Sequence, residues 1–161
     1  MYYNISKEGR IILRIYLDNC CYNRPYDSQD SFRVSLETRA KLYIQEKIRH
    51  GYYELVGSYM LEYENSQNRD IMKRKSIQSY QDKFCKYYVP FERSEELQNK
   101  IAEIMTYNIT YKDATHIVCA IFAECDYFLT TDIRLQKRYK DKEIVIVNPL
   151  DFIEITEEGI L

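Results

Sequence analysis

Apolar positions along this chain follow two alternating rhythms, one with the period of a strand and one with that of a helix. Ile11-Ile12-Leu13-Arg14-Ile15-Tyr16-Leu17 is β-branched and mostly apolar, which predicts a strand buried on both faces that ends in a turn at Asp18-Asn19. Arg24-Pro25-Tyr26-Asp27 breaks the chain. Ser28 or Asp30 can then cap a long helix in which Phe32, Leu36, Ala40, Tyr43 and Ile44 keep helical spacing up to Gly51. Tyr53-Glu54-Leu55-Val56-Gly57 predicts a second strand, and Ser58 caps a short helix over 59–64. After a polar break over 65–70, a helix over 71–83 has sparse apolar positions (Ile71, Met72, Ile77 and Tyr80), which places it near an edge of the fold. A short strand at Lys86-Tyr87-Tyr88-Val89 is stopped by Pro90, and Glu92 or Ser94 opens a helix carrying Leu97, Ile101, Ile104 and Met105.

The segment 110–132 organises the rest. Ala114, Ile117, Val118 and Ile121 recur at i, i+3, i+4 and i+7, the apolar stripe of a helix, with Asp113 one turn before Ile117 at its inner edge. The helix yields to Tyr127-Phe128-Leu129, a strand that ends by delivering Asp132 after Thr130-Thr131. A basic turn over 133–142 leads to Ile144-Val145-Ile146-Val147, a last buried strand closed by Asn148-Pro149. Helices alternating with near-continuous apolar strands predict an α/β fold: a three-layer α/β/α arrangement with a mainly parallel central sheet, one domain over 1–161.

In such folds ligands bind beyond the carboxyl ends of the strands. Asp18 and Asp132 lie at strand carboxyl ends, the 59–64 helix starts at a third, and the helix bearing Asp113 begins at the same edge if it runs antiparallel to the strand it feeds. Asp18, Glu64, Asp113 and Asp132 are therefore expected to converge. Each also has a plainer role: Asp18 as a turn initiator, Asp113 in a capping box with Thr110, Asp132 as a helix cap, and Glu64 as a solvated surface residue. Glu62 competes with Glu64, but Glu64 shares a helix face with Met60 and Leu61 while Glu62 points away by about half a turn. All-oxygen donors without an obligatory imidazole or thiolate suit a hard cation, Mg2+ or Mn2+.

Composition narrows the surroundings of this site. No apolar run approaches the roughly 18 residues that span a bilayer, so no membrane is expected. A charged pair, Lys7-Glu8, stands where a secretory leader needs its apolar core, and a cytoplasmic protein is expected. Five cysteines with no Cys-x-x-Cys pair indicate neither a disulfide framework nor a zinc cluster, with Cys119 and Cys125 expected in the core. A net charge of −2 excludes coating nucleic acid by bulk positive charge but leaves two basic patches, Arg69 to Lys75 and Arg134 to Lys142. Thr131 is either an outer contact of the acids or a turn residue, and His116 either orients a group at the site or is a satisfied helix-surface histidine. Arg24 is assigned a salt bridge to a nearby acid rather than a phosphate contact. The 17 tyrosines are read mainly as packing residues in a chain without tryptophan.

Asp113-Ala114-Thr115-His116-Ile117 through Leu129-Thr130-Thr131-Asp132, ending in Val147-Asn148-Pro149-Leu150-Asp151-Phe152, resembles the PIN domain, a group of metal-dependent ribonucleases. The stretch Leu17-Asp18-Asn19-Cys20-Cys21-Tyr22-Asn23-Arg24-Pro25, and Leu55-Val56-Gly57-Ser58 followed by Glu64, look like a bacterial branch of the same family. The resemblance implies that Asp18, Glu64, Asp113 and Asp132 are catalytic, metal-binding acids holding Mg2+ or Mn2+. It also implies single-stranded RNA as substrate, an antitoxin protein as partner, and a homodimer as a possible assembly. Two rivals are a PIN-like domain that binds RNA or protein without cutting, and a receiver-type domain phosphorylated on Asp18. The latter needs an acidic pair after the first strand and a lysine at a late strand end, which this chain lacks.

Overall fold

The computed structural model describes residues 4–158; residues 1–3, part of the start weighed against a leader, and 159–161, the far end of the single-domain expectation, lie outside the described residues. A two-residue strand absent from the sequence reading, β1 (Asn4–Ile5), folds back antiparallel onto the start of β2 (Ile11–Leu17). Beyond that contact β2 lies between two parallel neighbours, β3 (Tyr53–Ser58) and β5 (Tyr127–Leu129). With β4 (Cys85–Val89) and β6 (Val145–Val147) at the edges, the parallel order is β4-β3-β2-β5-β6. Gly57 leaves room for the Cys85 side chain of β4, since a Cβ there would meet Cys85 Sγ at 2.9 Å.

The helices are α1 (Asn19–Asn23), α2 (Phe32–Arg49), α3 (Tyr59–Ser66), α4 (Ile71–Phe84), α5 (Glu95–Met105), α6 (Tyr111–Phe122), α7 (Ile133–Arg138) and α8 (Pro149–Glu158), with a 3-10 turn (Arg24–Tyr26) after α1. Strand parity sorts them into layers. Tyr16 of β2 stacks on its register partner Phe128 of β5 at 5.3 Å and meets His116 of α6 edge-on at 5.8 Å, so this face is covered by α6, with α5 packed beside it. Residues of opposite parity, Tyr53 and Tyr127, meet Phe152 of α8 at 5.1 and 5.2 Å, and α8 packs on α2. The result is a three-layer α/β/α fold around a parallel sheet. Asp18, two residues after Tyr16, continues on the α6 side.

Several local expectations are revised. Ser31, not Ser28 or Asp30, caps α2; those two bond each other in the preceding loop at 3.0 Å, while the Ser31 hydroxyl accepts from Val34 N. Gly51 follows the end of α2 at φ +77°, a conformation that glycine adopts without strain. The basic turn over 133–142 begins with α7, the short helix that a capping Asp132 implies. The strand expected to be the last buried one is a three-residue edge strand with Val145 49% exposed, because β5 protects one side only; Ile144, outside it, is buried. Asn148-Pro149 closes β6 as expected, and Pro149 also begins α8, with Asn148 Oδ1 accepting from Leu150 N. Cys119 and Cys125 lie in the core as expected. No helix among the described residues is long and apolar enough to cross a membrane.

Candidate metal centre

Asp18, Glu64, Asp113 and Asp132 come from four segments and line one cleft of about 580 Å³ at the carboxyl edge of the sheet. Asp18 follows β2 directly and caps α1: its Oδ1 accepts from Asn19 N at 2.8 Å and its Oδ2 from the Thr130 hydroxyl at 2.8 Å. Glu64 sits near the end of α3, where Ser58 sets the helix start by accepting from Leu61 N. Its Oε1 is 2.7 Å from His116 Nε2 and its Oε2 accepts from Asn19 Nδ2 at 2.9 Å. Burial pushes the Glu64 carboxyl up, but the hydrogen bond and charge of His116, with Lys112 and Asn19, outweigh it and hold the group below its ordinary range.

Asp113 occupies the first turn of α6 in a reciprocal cap: the Thr110 hydroxyl donates to Asp113 Oδ2 at 2.8 Å and accepts from Asp113 N at 3.2 Å. Burial raises the Asp113 carboxyl, the Thr110 hydroxyl draws it back, and the charges of Asp18 and Asp132 lift it again, leaving it above its ordinary value. Asp132 caps α7, with Oδ1 accepting from Arg134 N at 2.8 Å and Leu135 N at 3.2 Å. The helix-capping roles of Asp113 and Asp132 are thus real, and they coexist with placement in the cleft. A cap occupies part of a carboxylate's accepting capacity and aims the remainder.

The acids are spread along the cleft rather than gathered at a point. Among the described residues, three donor atoms within 4.8 Å of one another occur at Glu103, Asp141 and Glu143 instead. The Lys100 amino group already lies among those acids, 3.2 Å from Glu103 and 3.8 Å from Asp141 and paired with Glu143, so that cluster carries its own cation. Asn19 Oδ1 in the cleft wall is buried with no protein partner among the described residues, an additional oxygen of the type hard cations accept. Carboxylate, amide and hydroxyl oxygens set this far apart fit Mg2+ or Mn2+ that retains water, since Mg2+ commonly binds through one or two carboxylates.

Four further residues change the picture drawn from sequence. The outer-contact role weighed for Thr131 falls to Thr130, which is fully buried, donates to Asp18 Oδ2 and accepts from Asp132 N at 3.1 Å. The signal was in the register: Leu17 pairs with Leu129, so the residues after them, Asp18 and Thr130, stand side by side. His116 is no surface residue but fully buried, with Nε2 on Glu64. Arg24 makes the expected salt bridges, to Glu37 at 3.2 Å and Asp27 at 3.1 Å, which leaves Asp27 as a fifth, neutralised acid in the cleft wall. Lys112 brings a cation to the same wall. Glu62, the alternative to Glu64, is absent from the lining and instead accepts from the Tyr88 hydroxyl at 2.6 Å.

No family model matches this sequence, and no curated protein matches it. Solved structures do. The chain is similar to FitAcB from Neisseria gonorrhoeae at TM-score 0.52 and 18% identity, over 84% of this chain and 98% of that one. It is similar to VapBC2 from Rickettsia felis, in a structure bound to a DNA fragment from its promoter, at TM-score 0.51 and 17% identity, over 84% and 98% of the two chains. Identity this low carries the likeness of fold, and the fold of this chain is the PIN-domain fold.

Proposed function

We propose that this chain acts, as one domain over 1–161, as a metal-dependent endoribonuclease that hydrolyses phosphodiester bonds of single-stranded RNA. The observation that carries this reading is the delivery of Asp18, Glu64, Asp113 and Asp132 from four segments to one cleft at the carboxyl edge of a PIN-type sheet. These four acids would hold Mg2+ or Mn2+; the chemistry such a cation supplies when bound is Lewis acidity toward water and phosphate oxygen. The protein's own contribution is orientation. Thr130 and the Asn19 backbone fix Asp18, His116 and the Asn19 side chain fix Glu64, Thr110 fixes Asp113, and the first turn of α7 fixes Asp132. Lys112 in the wall, with Arg134 and Lys137 exposed on α7, attracts the phosphate backbone toward the acids.

A protein antitoxin in the cytoplasm belongs to this reading. It is supported by the family resemblance of the sequence and by the fold shared with VapBC2, whose structure includes promoter DNA. The deciding experiment is cleavage of unstructured RNA oligomers by the purified chain with Mn2+ or Mg2+, in EDTA, and after the cation is restored. Cleavage that stops in EDTA and returns with the cation is expected. Equal activity in EDTA refutes the metal mechanism, and RNA binding in Mn2+ without any cleavage favours a non-cutting RNA-binding domain.

A further inference from the structure

One buried chain of hydrogen bonds runs from the cleft into the core. His116 Nε2 meets Glu64 Oε1 at 2.7 Å, His116 Nδ1 meets the Tyr16 hydroxyl at 2.6 Å, and that hydroxyl meets Ser58 Oγ at 2.6 Å. Tyr16 and His116 are fully buried and Ser58 is 1% exposed. A carboxylate only accepts, so Nε2 carries a proton and donates to Glu64; the Nδ1–Tyr16 bond runs from the hydroxyl to a neutral ring or from a charged ring to the hydroxyl, and in either direction it holds the imidazole against Glu64. Burial pushes the Tyr16 hydroxyl well above its ordinary range, which keeps it protonated.

The placement of these residues gives the chain a purpose. Tyr16 is two residues before Asp18 on the same side of the sheet, Ser58 caps the helix that carries Glu64, and His116 is one turn after Asp113 on α6. A single hydrogen-bonded path therefore ties together the three elements that deliver Asp18, Glu64 and Asp113. We propose that Tyr16 and His116 are positioning residues that fix the Glu64 carboxylate and the spacing of the three acids, so that the cleft is preorganised for a divalent cation. This rests on the reading of Glu64 as a metal ligand. An outer partner of this kind typically controls metal affinity by about 10–100-fold, because it fixes which lone pair faces the cation.

A purely packing role makes the opposite forecast for substitutions at His116. In a fully buried position leucine is the better core residue, whereas glutamine keeps an N–H for Glu64. The test is calorimetric titration of EDTA-stripped protein with Mn2+ alone, on Tyr16→Phe, His116→Gln, His116→Leu, the Tyr16→Phe/His116→Leu pair and Glu64→Gln, each checked for parental circular dichroism. The expected result is Mn2+ binding weakened about tenfold in Tyr16→Phe and at least as much in His116→Leu, with His116→Gln intermediate. The pair should be no weaker than His116→Leu alone, since both act along one path. RNA cleavage should fall in kcat more than it changes in KM. If His116→Leu does not fold, Tyr16→Phe, which removes one oxygen atom, decides alone. Parental Mn2+ affinity in Tyr16→Phe and His116→Leu, beside lost affinity in Glu64→Gln, overturns this inference and leaves the proposed function standing. Parental affinity in Glu64→Gln as well removes Glu64 from the metal site, and this inference falls together with the Glu64 part of the proposed function.

Discussion

Two carboxylates two residues apart on α3 meet different fates, and helix geometry decides between them. With about 100° per residue, Glu62 and Glu64 stand roughly 200° apart around the helix axis. Met60 and Leu61 are buried, and Glu64, three residues beyond Leu61, follows that inner face to the cleft. Glu62 turns outward to the Tyr88 hydroxyl. Glu64→Gln removes a charge that His116 and Asn19 are arranged to hold and should abolish RNA cleavage. Glu62→Gln should keep cleavage within about twofold and change stability by no more than about 0.5 kcal/mol, the usual range for an exposed position. Initial cleavage rates for the two variants check this, and the reverse outcome would move the assignment to Glu62. Thr130 carries the same lesson: a threonine after a short strand reads as a turn residue, and only the strand register makes it a neighbour of Asp18.

At the level of elements, α7 joins the acid cleft to a basic surface. Its first turn donates two backbone N–H groups to Asp132, which fixes the helix axis relative to the cleft and places Arg134 and Lys137 on exposed positions beside it. Arg138 already gives one guanidinium N–H to Asn108 O at 3.1 Å and is less free to meet a phosphate. Each phosphate neutralised on a single strand contributes about 0.7 to the log–log salt slope, so replacing Arg134 and Lys137 with Gln should flatten that slope by about 1.4. Filter-binding or anisotropy titrations from low to high salt measure it, and an unchanged slope would make this face merely solvated. The extent of the helix was hard to see in the sequence because six residues span less than two turns and Leu135 is its single buried residue. The long runs of β2, β3 and α6 were legible because burial on one or both faces imposes a repeating constraint. The edge strand β6 and the two-residue β1 lack that constraint, and their limits depend on partners far away in sequence. The start of α8 was legible in principle, since Asn148 before Pro149 is a cap followed by the favoured first helical residue, but the same pair also reads as a turn.

For the molecule as a whole, four acids at one edge couple folding stability to the charge held there. Sequence reasoning supports convergence, and the structure gives it scale: the acids share a cleft without three of their donor atoms meeting within 4.8 Å. At about 8 Å and an effective dielectric of 20, a pair of like charges repels by about 2 kcal/mol before ionic screening. Losing a carboxylate from a first helical turn costs about 0.3–1 kcal/mol, part of which Asn restores by accepting from Thr110. Repulsion is therefore the larger effect in the metal-free protein, and the Asp113 carboxyl is raised first by burial and further by the charges of Asp18 and Asp132. Asp113→Asn should abolish cleavage yet melt about 2–4 °C higher than the parent in EDTA at pH 7, the shift that about 1 kcal/mol gives a domain of this size. The pH dependence has a definite sign. An acid raised by folding favours the fold below its unfolded value, and that contribution is lost as pH rises through the folded value. The advantage of Asp113→Asn should therefore shrink as pH falls and vanish below the ordinary value of 3.8, while the lowered Glu64 carboxyl, present in both proteins, largely cancels from the comparison. Saturating Mn2+ should reverse the order at pH 7, because a cation at about 100 times its dissociation constant adds about 2.7 kcal/mol to the parent and less to a protein with one ligand removed. Thermal melting of both proteins in EDTA and in excess Mn2+, at pH 7 and at low pH, tests each part. A lower melting point for Asp113→Asn in EDTA at pH 7 would make Asp113 chiefly the partner of Thr110 in a helix cap and remove it from the acid cluster.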